Sequence, residues 1–163
     1  MFSLIITIIS IALVAALALA TLYFGGDAFN QGSARAAAAT VVNQASQISG
    51  ANTLYYLDNN EYATAMSELT PEYLASEPNP GNAATGSWDP ARSASNGTVT
   101  ITGLSLAVCE AVNVQAGYTI GDEGTAPTLV ADLDDAVAAV TDTQFGCVPV
   151  GTEGSEVLTF VFK

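Results

Sequence analysis

Residues 1–26 read MFSLIITIISIALVAALALATLYFGG, a run with no charged side chain; the first charged one is Asp27. A helix rises about 1.5 Å per residue, so roughly 24 such residues reach about 36 Å, enough to cross a hydrocarbon core of about 30 Å. The pattern then changes without a helix breaker. Residues 27–56 are rich in alanine and contain no proline, and Val41, Ala45, Ile48 and Tyr55 recur at helical spacing. That periodicity predicts an amphipathic continuation to about Tyr56, with one face turned to a core. Gly25 and Gly26 form a weak point between the two halves, each costing about 1 kcal/mol against alanine in a helix interior. A kink or unwound segment is expected there. Gly32 and Gly50 add softness, and Gly50 is an alternative, earlier end to the helix.

Beyond the helix the pattern breaks up. Residues 57–96 carry Pro71, Pro78, Pro80 and Pro90 among Asn, Ser and Gly, which predicts a long loop with one short helical turn over 71–75, capped by Ser67 or Thr70. A loop of this length is usually functional or interaction-bearing. Trp88 within it reads as an aromatic plug over the head, the alternative being an exposed contact residue. From Gly97, Val99 and Ile101 alternate with Thr98, Thr100 and Thr102, the pattern of a half-buried strand. Ser105 then opens a predicted helix that turns Leu106, Cys109, Val112 and Val108 inward and stops at Gly117; a strand is the rival reading of these valines. Residues 121–127 read as turn or loop. TLVADLDDAVAAVTD, from 128 to 142, fits either a strand with a short helix or a helix alone. The final VLTFVFK alternates Leu158, Phe160 and Phe162 with Thr159 and Val161, which predicts a strand. The sum is an α+β chain in three parts: an apolar helix over 1–26, its amphipathic continuation over 27–56, and a small antiparallel head over 57–163.

Composition narrows the function. The chain has 163 residues; without the apolar run, roughly 140 remain, the size of one ordinary domain. Three Lys and Arg against sixteen Asp and Glu give a net charge of -13. Such a surface repels phosphate backbones, so direct nucleic-acid binding is not expected. There is no histidine, which removes the commonest general base and the commonest metal ligand. The only cysteines, Cys109 and Cys147, make no zinc-ligand set. One long-range disulfide in an oxidising compartment is the natural reading, two buried free thiols the alternative.

No residue pattern supports catalysis or a cofactor. Asp132, Asp134 and Asp135 are the densest acidic cluster, yet the oxygen-rich spacing of a calcium loop is missing, and Asp58 to Tyr62 begins such a loop and fails at Tyr62. Solvated acidic surface accounts for both. Serine, threonine and tyrosine are abundant, but there is no histidine, and the only lysine is the terminal Lys163, so no nucleophile has an evident activator. No phosphate-binding glycine loop is present. Asn96-Gly97-Thr98 matches a glycosylation sequon. The apolar run itself fits a cleaved signal poorly, since it lacks a basic start and is too long. A membrane anchor or a helix that packs against copies of itself remains.

Taken together, MFSLIITIISIALVAALALATLYF, the amphipathic ARAAAATVVNQASQISGANTLYY, the TGLSLAVCEAVN element carrying the first cysteine, and the ending from Cys147 to VLTFVFK resemble a type IV pilin, most closely the type IVb branch. The resemblance spans the whole chain. It implies a structural subunit, not an enzyme, that polymerises through its N-terminal helix into an extracellular filament. Met1, Ile5, Ile9, Leu13, Leu17 and Leu22 would line the filament core, Gly25 and Gly26 would mark a segment able to melt, and Cys109 and Cys147 would close the C-terminal region. It also implies partners: copies of the chain itself, the inner membrane before assembly, the pilus assembly machinery, and a prepilin peptidase that leaves the mature form. The chain departs from the family at position five, where Ile5 replaces a glutamate that would pair with the N-terminal amine of a neighbour. A minor pilin or secretion pseudopilin, and a single-pass anchored binding domain, are the alternative readings.

Overall fold

The computed structural model describes residues 2–90, 97–118, 129–140, 143–152 and 155–163. It is an α+β chain in two compact units, Met1–Ser33 and Ala34–Lys163. Helix α1, Phe2–Asn59, begins in the first unit and ends in the second. It runs through Gly25, Gly26, Gly32 and Gly50 without a break, so neither the unwound alternative at Gly25-Gly26 nor the early stop at Gly50 is present. A proline-free, alanine-rich sequence on either side carries these glycines, because neighbouring hydrogen bonds hold them in register.

In the second unit α1 presents Ala34, Ala38, Val41, Ala45, Ile48 and Ala51 to the core, all buried, with Tyr55 half-buried behind them. The predicted face is therefore the packed one. Buried Asn52 interrupts the apolar stripe; its Oδ1 accepts from the Ala63 N–H at 2.9 Å, and its Nδ2 donates to the Pro90 carbonyl at 3.4 Å. One side chain thus ties both ends of the intervening segment to the helix.

A turn stands over 71–73 of the expected 71–75, where the Tyr73 N–H donates to the Leu69 carbonyl at 2.9 Å, and a short helix, α2, Met66–Leu69, precedes it. Glu68 decides this: its carboxylate accepts from the backbone N–H groups of Thr64 and Ala65 and so caps the first turn, while neither Ser67 nor Thr70 does. Pro71 then forces Thr70 into extended backbone, φ -108° and ψ 139°, and ends the helix. The region expected to be loop also holds a two-residue strand, β1, Trp88–Asp89. Trp88 is buried and stands edge-on to Phe160, ring centroids 6.4 Å apart, as a plug should. The approach to β1 is tight at Gly86, whose N–H donates to the Thr102 carbonyl; a Cβ there would lie 2.4 Å from Thr102 Oγ1.

Strand β2, Val99–Thr102, is followed by helix α3, Leu106–Ala116, helix α4, Leu133–Ala139, and strands β3, Phe145–Val150, and β4, Val157–Phe162. The strands form one antiparallel sheet in the order β1-β2-β4-β3, with Ile101 opposite Phe160 and Phe160 opposite Cys147. One face, with Val99, Ile101, Phe160 and Phe162, shares a core with α1; the other places Val148 and Val161 against Ala136 of α4 and Val140, its C-cap. Because both faces are covered, Thr98 and Thr100 are buried as well, which corrects the half-buried reading of β2.

α3 begins and ends where predicted. Ser105 Oγ accepts from the Val108 N–H, and Gly117 closes the helix at φ 99°, a left-handed conformation that favours glycine. Val108, Cys109 and Val112 face inward, but Leu106 does not and is 64% exposed. As the first residue of α3 it lies at the edge of the buried arc. Residues 128–142 resolve, among the described residues, into a bridge between Val130 and Val150 followed by α4, the strand-and-helix alternative reduced to a single pair. β3 was not foreseen: Gly146 and Pro149 obscure its pattern, and its edge position tolerates the proline. The turn expected over 121–127, Asn96 of the sequon and Met1 lie outside the described residues.

Candidate functional site

Phe2–Leu22 is the one helix segment among the described residues long and apolar enough to cross a membrane, with a mean hydropathy of 2.8. Nothing in its own unit covers it. Ile5, Ile9, Leu13, Leu17 and Leu22 are all more than half exposed, between 53% and 76%. Twelve large apolar side chains stand open along this stretch, and fully burying one gives about 1.5–3 kcal/mol, so leaving them in water forgoes up to roughly 18–36 kcal/mol. That exceeds the whole net stability of an ordinary domain, about 5–15 kcal/mol. The segment requires lipid or other protein around it.

Its polar atoms do not oppose such a cover. Thr7 Oγ1 donates to the Leu4 carbonyl at 2.8 Å, Ser10 Oγ to Ile6 at 2.8 Å and Thr21 Oγ1 to Ala18 at 2.9 Å. Returned to their own helix, these three hydroxyls strand no donor of theirs in hydrocarbon or in a dry helix contact. The backbone of Gly25 and Gly26 continues the same helix.

The second predicted pair is joined: Cys109 and Cys147 form a disulfide, their Cα atoms 5.3 Å apart, and free thiols are excluded. The bridge links α3 to β3. Sequence reasoning missed the residue beside it. Asn113, one turn after Cys109, is buried, accepts from the Cys147 N–H at 2.8 Å and donates to the Cys147 carbonyl at 3.0 Å. A lone polar residue at helical spacing from a cysteine was the available signal.

The acidic cluster has a local task. Asp132 Oδ1 accepts from the N–H groups of both Asp134 and Asp135, at 3.0 Å each, and caps α4. At the end of α1, Tyr73 donates its hydroxyl to Asp58 at 2.9 Å and meets the Tyr55 ring edge-on at 5.6 Å, while Tyr56 stacks on Tyr62. The bond to Asp58, reinforced by partial burial and by the charges of Asp58 and Glu72, holds the Tyr73 phenol above its ordinary range. Partial burial, then Glu68 and Glu61, does the same for Tyr55. These groups tie α1 to the following segment and form no arrangement of nucleophile and base. Among the described residues, no group of three or more Cys, Asp or Glu is placed to hold a metal ion. No family model, no curated protein and no solved structure matches the chain.

Proposed function

We propose that this chain is a structural subunit that polymerises through its apolar N-terminal helix into an extracellular filament like a type IV pilus. The observation that carries the reading is the 21-residue helix segment Phe2–Leu22, uncharged, uncovered and with the hydroxyls of Thr7, Ser10 and Thr21 satisfied within the helix. Before assembly the helix rests in the inner membrane with the acidic head outside. On assembly it exchanges lipid for copies of itself. Leaving lipid brings little hydrophobic gain, so the exchange depends on close packing, and Ala12, Ala15, Ala16, Ala18 and Ala20 provide small contact points. Local unwinding at Gly25 and Gly26 would belong to the assembled state. The role needs no catalytic group, and the partners are further copies, the membrane, the assembly machinery and a prepilin peptidase.

Electron microscopy of material sheared from producing cells, with mass spectrometry of the fibres, tests the proposal. Thin fibres with this chain as main component are expected. Fibres containing only traces of it point to a minor pilin or pseudopilin. Recovery solely in the membrane fraction, with the cells' fibres unchanged by its deletion, overturns the filament and leaves a single-pass anchored binding domain, which the same helix length also fits.

A further inference from the structure

The edge of the sheet at β3 is closed at the carbonyls of Phe145, Cys147 and Pro149 and at the Cys147 N–H. β3 is the outer strand of the order β1-β2-β4-β3, and an outer strand normally leaves a row of N–H and C=O groups unpaired. Here Thr143 Oγ1 donates to the Phe145 carbonyl at 2.7 Å, Pro149 has no N–H, and its carbonyl accepts from the Val130 N–H at 3.1 Å. Between them, Cys147 turns both its N–H and its C=O to the side-chain amide of Asn113. The Asn113 carboxamide offers one acceptor and one donor in the geometry of a neighbouring strand, and one orientation alone satisfies both bonds. Cys147 is therefore held to α3 twice, by its sulfur to Cys109 and by its backbone to Asn113, and only the first tie needs an oxidant.

We propose that Asn113 is a positioning residue for disulfide closure: it docks β3 on α3 while the cysteines are still reduced, so that the Cys109–Cys147 bond seals a contact already made. In exchange with a small disulfide oxidant such as glutathione disulfide, the thiolate of one cysteine attacks and expels one glutathione thiolate. The second cysteine's thiolate then attacks the sulfur of the first, expelling the other. Two electrons pass to glutathione disulfide, and the two cysteine protons end on two molecules of glutathione. The second displacement is intramolecular, and its rate follows how often the two sulfurs stand together.

The test uses the full chain in detergent micelles. The reduced protein is oxidised in a glutathione redox buffer and its free thiols are trapped over time with a maleimide mass tag. Asn113→Ala is expected to slow ring closure from the mixed disulfide by at least about tenfold, the equivalent of about 1.4 kcal/mol. Hydrogen exchange of the chain carrying Cys109→Ser and Cys147→Ser supplies a readout that needs no folded Asn113 variant. With Asn113 present the amide at position 147 should stay protected; an amide exchanging there at the rate of an unstructured peptide overturns the proposal. Equal closure rates for Asn113→Ala and the unsubstituted chain overturn it too.

Discussion

Placing a carboxylate in the middle of the apolar helix tests the proposed assembly most directly. Ile9 is 54% exposed in the single chain, in a stretch whose described side chains are all uncharged and open. In Ile9→Asp the aspartate would have to enter lipid before assembly and a helix-packed interior afterwards. At the centre of a membrane-length helix this costs at least about 2.5–3.5 kcal/mol on insertion scales. The hydroxyls of Thr7, Ser10 and Thr21 return their own hydrogens to nearby carbonyls and offer the new charge little compensation. If the whole cost falls on subunit addition, 3 kcal/mol raises the concentration needed for growth by roughly 150-fold, at about 1.4 kcal/mol per factor of ten. The assay measures sheared fibre yield by quantitative blotting, with membrane fractionation of the same cells to follow insertion. Loss of fibres with the subunit still in the membrane fraction is the expected pattern. Ordinary fibre yield from Ile9→Asp, and from Leu13→Asp beside it, would refute a buried helix core.

Three further outcomes follow from the head. Replacing both cysteines by serine should lower stability by on the order of 3–4 kcal/mol in the loop-closure account; with reductant, limited proteolysis should cut 106–163 before α1, and equal resistance with and without reductant would count against a structural bridge. Phe160→Ala removes a fully buried ring lying between Trp88, Phe145 and Phe162, at a cost of about 3–5 kcal/mol; a chemical-denaturation midpoint that does not move would show the core misassigned. Because Asp58 and partial burial raise the Tyr73 phenol above its ordinary value of 10.0, the folded state holds that proton more tightly than the unfolded chain does. The associated stability is complete below about pH 10 and declines as the pH climbs beyond it. Tyr73→Phe should flatten this alkaline decline in thermal melts while Tyr55 keeps part of it, and an unchanged slope would exclude the Tyr73–Asp58 bond as its source.

Local chemistry explains which parts of the fold were legible. The apolar run, the buried stripe from Val41 to Ile48, the Ser105 and Gly117 ends of α3, and the alternation of β4 each rest on a few consecutive residues whose periodicity or capping chemistry acts within one element. The errors share a different cause. Glu68 adds a short helix ahead of the expected turn by reaching back to Thr64 and Ala65, an alternative that competes with proline and serine signals at close range. β1 is too short to show a period, and β3 hides its pattern behind Gly146 and Pro149; both exist because a partner strand lies beside them.

The sequence alone settled that the chain carries a membrane-length uncharged segment, that its continuation is amphipathic, and that two cysteines stand far apart in an acidic chain without histidine. Those properties are sums or periods along the backbone and need no fold to be true. Tertiary structure decided the rest. Cys147 meets Cys109 because β3 lies against α3, Asn113 becomes the clamp of a sheet edge only there, and Thr98 and Thr100 are buried because the sheet is covered on both faces. Each is a contact between residues far apart in sequence, and its free energy depends on neighbours that only the folded chain supplies.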